Sequence, residues 1–153
     1  PSTIQLLLMY FVFMVSSTNQ VLVASVSFGI NSGAYIAEIM RSGIMSIDKG
    51  QTEAGRSLGL NAAQTMSRIV VPQAVKNIFP ALCNEFIVLI KETAIVGYVG
   101  LMDIQKAGDF IKSATYKPIM PLIATAIIYF VIIKVLTLLL GLIEKQLRKS
   151  EVR

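Results

Sequence analysis

Residues 53–72 form a polar stretch set between two long apolar segments. A polar stretch of that length in so apolar a chain sits in water or docks on another molecule. Hydrophobic residues make up 54% of the 153, charged residues only 15%, and the mean hydropathy is +0.68. A soluble domain carries roughly 25% charged residues, so the composition is that of a membrane protein. The length fits one domain, residues 1–153.

The same composition excludes several function classes. The net charge is +5, but the cations flank apolar runs. No lysine–arginine stripe is interleaved with aromatics, as a nucleic-acid groove requires. Cys83 is the single cysteine and histidine is absent, so an internal disulfide, a cysteine-based metal site and an imidazole base are all excluded. The chain opens at Pro1 and enters an apolar run with no basic region before it, unlike a signal peptide. It reads as the inside of a longer protein, truncated at its N-terminus.

Residues 4–15 are apolar apart from Gln5 and end in Ser16-Ser17-Thr18-Asn19-Gln20. A spanning helix needs ~20 apolar residues, so this run reads as the outer part of a span whose start is missing, or as an interfacial segment. Residues 21–40 are the next span. Ser25, Gly29, Gly33 and Ala37 line one face of it, which allows another helix to approach closely. Asn31 needs a hydrogen-bond partner inside the membrane, either across a helix pair or as the lining of a pathway. Glu38 and Arg41 are three apart and pair at the interface.

Residues 42–76 form a hydrophilic loop with Arg41, Lys49, Arg56, Arg68 and Lys76 in or beside it, and Lys145, Arg148, Lys149 and Arg153 follow the last span. The excess of cations places both regions on the cytoplasmic side, with two spans between them. The first of these runs over 72–96. Pro72 opens it, and Pro80 removes the bond to the carbonyl of Lys76 and is expected to kink it. Glu85 and Glu92 are two turns apart on one face, with Asn84 and Lys91 on a face about 100° round. Ionisable groups in a membrane helix are costly and face a cavity or a partner. Glu85 and Glu92, together with Asn31, read as the lining of a substrate pathway, with Asn84 and Lys91 beside it. An ion pair is the alternative for Glu85, and snorkelling for Lys91 and Glu92.

Gly97 and Gly100 break this helix. Residues 101–114 are expected to form a short outer-surface helix with Ile104, Ala107, Phe110 and Ile111 on one side. Its Asp103, Lys106, Asp109 and Lys112 read as a solvated face, or as a docking surface for an extracytoplasmic partner. Pro118 and Pro121 start the last span, which runs to about residue 143 and contains Lys134, a snorkelling or helix-pairing lysine. The basic tail 144–153 is an interfacial anchor.

Within the central loop, Asp48 is placed to cap a short helix. Glu53 is expected in its first turn, where the helix dipole favours a carboxylate, and Gly59 is expected to stop it. Ala54, Leu58 and Leu60 are too few to form a core. A second helical stretch covers 62–71. Two short helices at a right angle, joined at Gly59, would make a compact knob able to pass rigid-body motion from a soluble partner into the membrane.

Glu53-Ala54-Gly55, Gly59, then Ile69, Val71 and Pro72 closely resemble the EAA loop of membrane subunits of ABC importers. That family's pattern is Glu-Ala-Ala, three residues, Gly, nine residues, Ile-x-Leu-Pro. Gly55 replaces the second alanine, which is expected to loosen the helix, and Val71 replaces the leucine. The flanks Asn31-Ser32-Gly33-Ala34-Tyr35-Ile36-Ala37-Glu38, Gly50-Gln51 and Pro72-Gln73-Ala74 look like the polar amino acid permease branch. The resemblance covers essentially the whole chain. It implies a helical bundle of the ABC importer permease type, with about three and a half of five transmembrane helices present. It implies a multi-pass protein of the bacterial cytoplasmic membrane, loop 42–72 and the C-terminus facing the cytoplasm. Two such subunits, identical or not, would form a dimer around a pathway for a polar amino acid delivered by an extracytoplasmic binding protein. Glu53, Ala54, Gly55, Gly59, Leu60, Ile69 and Pro72 would form the coupling loop that inserts into a cytoplasmic ATPase subunit. ATP and Mg would belong to that partner; the chain itself has no cofactor and no Gly-x-x-x-x-Gly-Lys-Ser/Thr loop, and is not expected to be an enzyme. Paired carboxylates would suit a cationic substrate such as arginine or lysine, although a carboxylate equally meets the amino group of any amino acid. The alternative function is an ion-gradient-driven carrier or channel using the same carboxylates. A non-transporting scaffold would leave the loop spacing unexplained.

Overall fold

The structure, a computed structural model, describes residues 1–149, with side chains through residue 146. Arg153 lies outside the described residues, as do the side chains of Arg148 and Lys149. The ordered elements among the described residues are all helical: α1 (Ser2–Leu8), α2 (Gln20–Met45), α3 (Lys49–Ser57), α4 (Ala62–Thr65), α5 (Val71–Glu92), α6 (Ile104–Thr115) and α7 (Ile119–Lys149). Wide π turns follow α1 (Met9–Phe13) and α4 (Met66–Val70), and a 3₁₀ stretch (Thr93–Val99) follows α5.

Among the described residues, two helices are long and apolar enough to cross a membrane: α2, and α7 through Gln146. The expected count was higher. The initial apolar run forms only the short helical segment Ser2–Phe13. α5 has 22 residues, which at ~1.5 Å each is ~33 Å, but Lys76, Glu85, Lys91 and Glu92 dilute its apolar surface. It ends at Glu92 rather than near residue 96 and passes Pro80 without a break in its helix. The left-handed residue beyond it is Gly100 (φ 85°).

The chain divides into two compact units, residues 1–33 with 86–138 and residues 34–85 with the chain from 139 onward. In the first, Leu6, Ala24, Phe28 and Val99 form a buried core, packed by Leu7, Tyr10, Leu89 and Ile95. α6 starts where the Asp103 carboxylate accepts from the Lys106 backbone N–H at 2.8 Å. It meets α7 at Gly108, where a Cβ would lie 2.5 Å from Thr125 Oγ1. The expected apolar face of α6 is only partly covered, since Phe110 and Ile111 are exposed. The contact that seats the helix is instead a glycine facing a buried threonine. The small-residue face of α2 is open: Ser25, Gly29, Gly33 and Ala37 are exposed, and a Cβ on Gly29 or Gly33 would meet nothing within 4 Å.

Candidate functional site

Two places gather the residues singled out in the sequence, one in each unit. In the second unit, residues 48–70 fold as a knob whose ends are fixed by local bonds. Asp48 caps α3, its carboxylate accepting from the Gly50 N–H at 2.6 Å. α3 therefore begins at Lys49, and Glu53 falls in its second turn, not the first. The dipole argument for Glu53 loses most of its force there, because the effect fades beyond the first turn. Glu53 and Ala54 are exposed.

The C-terminal end of α3 is a Schellman turn. Gly59 has φ 84°, a conformation that costs any residue with a Cβ. The Leu60 N–H donates to the Gly55 carbonyl (3.2 Å) and the Gly59 N–H to the Arg56 carbonyl (3.0 Å), the paired bonds of that motif. Asn61 then opens α4 with a capping box: its side chain accepts from the Gln64 N–H at 2.9 Å, and the Gln64 side chain accepts from the Asn61 N–H at 3.0 Å.

Gly55 holds the knob together. It is buried, and a Cβ there would lie 2.8 Å from both Ile69 Cδ1 and Thr65 Cγ2. The departure from alanine at this position, which from sequence reads as a loosening of α3, is a point of close approach between α3 and both Thr65 of α4 and Ile69 of the turn after it. Thr65 is 1% exposed, and its hydroxyl donates to the Asn61 carbonyl at 3.0 Å. Ile69 is half-buried and Val70 buried. Pro72 sits in the first turn of α5. Its ring would crowd a regular α turn at the carbonyl of Arg68, and the wide turn Met66–Val70 lies just before it. Leu58, at the tip between α3 and Gly59, is 81% exposed.

This unit is also braced along α2 and α5. Gly43 is buried, with Ile78 against its backbone, and the Asn77 amide donates to Ser46 Oγ at 2.9 Å. The expected pair forms: the Arg41 guanidinium donates to both carboxylate oxygens of Glu38.

In the first unit, Glu92 gathers a polar cluster. Its carboxylate accepts from Ser2 Oγ at 2.7 Å and from Asn31 Nδ2 at 3.2 Å. This ties the start of α1, the middle of α2 and the end of α5. Nearby in sequence, Gln5 donates to the carbonyl of buried Ser27 at 3.1 Å. The structure thus joins Asn31 and Glu92, while Asn84 and Lys91 are exposed and Glu85 is half-buried in the other unit. Ser2 was not singled out, because a serine at the end of an apolar run has no spacing that points 90 residues away.

On α6, the Lys112 ammonium lies 2.7 Å from Asp109 Oδ1 and holds that carboxyl below its usual range, with Gln105 and Lys106 adding to the effect. Among the described residues no group of histidine, cysteine or carboxylate side chains is arranged to hold a metal ion.

The family described as binding-protein-dependent transport system inner membrane component matches residues 1–149. The chain belongs to this family. A permease of Rickettsia bellii named for a glutamine transport system is 40% identical over 150 residues, 96% of this chain and 69% of that protein. The arginine transport system permease protein ArtQ of Bacillus subtilis is 39% identical over 154 residues, 99% of this chain and 70% of its own length. A solved structure titled as an amino acid ABC transporter with histidines matches with a TM-score of 0.88 at 44% identity, over 95% of this chain and 69% of that one. This inner membrane component therefore has the all-α fold of an ABC importer permease, and the resemblance of its central loop agrees with its family.

Proposed function

We propose that this inner membrane component is a translocating subunit of an ATP-driven importer for polar amino acids, working as one of two permease subunits. An extracytoplasmic binding protein delivers the substrate, and cytoplasmic ATPase subunits, which hold the ATP and Mg, drive it. The relatives named for glutamine and arginine support the substrate class. The observation that carries the coupling role is the knob itself. A capped helix, a left-handed glycine and a capping box follow one another without a loose residue, and they hold Leu58 out at the tip. A rigid body that presents an apolar side chain suits insertion into a groove on a soluble partner, where it would pass motion on to α2 and α5. In this reading Glu53, Ala54, Gly55, Gly59, Leu60, Ile69 and Pro72 are the coupling residues, and the knob and the C-terminus face the cytoplasm.

Glu92, with Asn31, lines the pathway. A carboxylate already fed by a hydroxyl and an amide retains lone pairs for the ammonium of an amino acid. Glu85, Asn84 and Lys91 are the further pathway candidates. Reconstituting the full-length permease with its partners and following labelled glutamine and arginine tests this. ATP-dependent uptake supports the reading; uptake that persists without ATP and follows an ion gradient makes the chain a carrier instead.

A further inference from the structure

We propose that the cavity between α6 and the start of α7 binds the ammonium and carboxylate of a free α-amino acid, as a second amino-acid site beside the Glu92 pathway; the proposal rests on the amino-acid reading above. The groove between these two helices is divided where Gly108 meets Thr125. One half, beside Ile104, Ala107, Ile111 and Ile128, is apolar, and a lipid tail or any apolar neighbour satisfies it. The other half is a cavity of about 210 Å³ with Gln105, Asp109 and Lys112 on the α6 side and Thr125 on the α7 side. The three α6 residues recur at spacings of four and three, which turn them to one face. An apolar neighbour offers these groups nothing.

Thr125 is the group that points to a ligand. It is 7% exposed, yet its hydroxyl makes no hydrogen bond among the described residues. Other helical threonines bond back to their own helix: Thr115 Oγ1 donates to the Ile111 carbonyl at 2.8 Å and Thr137 Oγ1 to the Ile133 carbonyl at 2.7 Å. Among the described residues no fully enclosed side-chain polar atom lacks a partner, so the Thr125 hydroxyl opens onto the cavity it lines. A nearly buried hydroxyl without a partner is costly, and an apolar group of similar shape avoids the cost. A ligand that bonds the hydroxyl accounts for it.

The charges select that ligand. Lys112 Nζ lies 2.7 Å from Asp109 Oδ1, and both side chains are about half exposed, so they neutralise one another and can still turn to a third group. Asp109 repels a lone anion and Lys112 a lone cation. A zwitterion satisfies both, its carboxylate against the Lys112 ammonium and its ammonium against the Asp109 carboxylate, in an alternating ring of charges. The Thr125 hydroxyl donates to the same carboxylate. Pockets for drug-sized ligands occupy roughly 300–1,000 Å³, and a cavity below that range suits a single amino acid. A zwitterionic lipid headgroup shares this chemistry, and bilayer composition separates the two sources.

An α-amino acid with a diazirine on its side chain, its ammonium and carboxylate intact, is the probe for the full-length permease reconstituted with its partners. Irradiation without ATP is expected to label residues 105–125, and excess glutamine should compete the label away. Half-maximal labelling should need about tenfold more probe in Thr125→Val and in Lys112→Met. The thermal midpoint of Thr125→Val should hold or rise, because the hydroxyl has no partner to lose. A lowered midpoint, labelling unaltered in both variants, or label only outside 105–125 overturns the site. Labelling should be equal in bilayers of phosphatidylglycerol and of phosphatidylethanolamine. Labelling that fails in phosphatidylethanolamine and that glutamine does not compete assigns the cavity to a lipid headgroup and overturns the amino-acid site. None of these results touches ATP-driven uptake; an unmodified complex that takes up neither glutamine nor arginine overturns the amino-acid reading itself.

Discussion

The knob at residues 48–70 and the polar cluster at Glu92 are built from opposite kinds of contact. The knob is tied by bonds between close neighbours in sequence: Asp48 to Gly50, Gly55 to Leu60, Asn61 to Gln64. Glu92 is tied to residues 90 and 61 positions away. Local bonds need particular residue types at fixed offsets, so they leave a readable spacing. Together with the packing of Gly55 against Thr65 and Ile69, they brace the knob, which suits the lever role proposed for it. The Glu92 cluster depends on three segments packing correctly first, so it reports on the fold around it.

The difference can be broken from either side. The largest effect is expected at Glu92. Glu92→Ala removes the acceptor of two donors, and orphaning each costs about 1–3 kcal/mol. Thermal unfolding of the reconstituted complex should shift down by several degrees, and Asn31→Ala should shift it less. An unchanged midpoint for Glu92→Ala would mean that the cluster does not tie the three segments.

Gly59→Val follows. A β-branched residue at φ 84° is strained by about 1–2 kcal/mol, and relieving the strain disrupts the Schellman turn. ATP hydrolysis should continue while uptake per ATP falls, and Gly59→Asn, which tolerates the left-handed region, should recover part of the coupling. A normal ratio in the valine variant counts against the knob as a lever. Asn61→Ala removes one half of the capping box and should cost about 1 kcal/mol. The effect should appear as faster amide exchange over 62–70 with little change elsewhere; uniform exchange across the second unit would deny the knob its separate rigidity.

The smallest effect concerns α6. Lys112 lowers the pKa of Asp109, so this pairing contributes fully above the usual carboxylate range. The contribution is lost as pH falls through the lowered value. Amide exchange over residues 104–115 should rise slightly in that acid window, and Asp109→Asn should flatten the dependence. A rise of the same size in the asparagine variant would assign it to another group.

The same contrast explains what the sequence reveals. Asp48, Gly59 and the stretch before Pro72 are readable because capping and left-handed geometry admit few residue types. The place of Glu53 was misjudged by one turn, since helix α3 starts at Lys49, before the first residue with a clear helical signal. Gly55 was misread because its role is a distance to Thr65 and Ile69, and a distance between elements leaves no mark in local composition. Gly108 against Thr125 was missed for the same reason. Asn31 needed a partner in any membrane helix, and that requirement was legible; the identity of Ser2 and Glu92 as cluster-mates was not.

Leu58 provides the most direct test of the central claim, that the knob docks on an ATPase. In native membranes containing the full-length permease and its partners, a Leu58→Cys variant would be treated with a short bifunctional thiol-to-amine reagent. The account predicts a cross-linked product between the permease and an ATPase subunit, which changes in yield when ATP is bound. An ATPase that co-purifies with the permease but gives no product from position 58, while other surface cysteines react with it, would contradict the account.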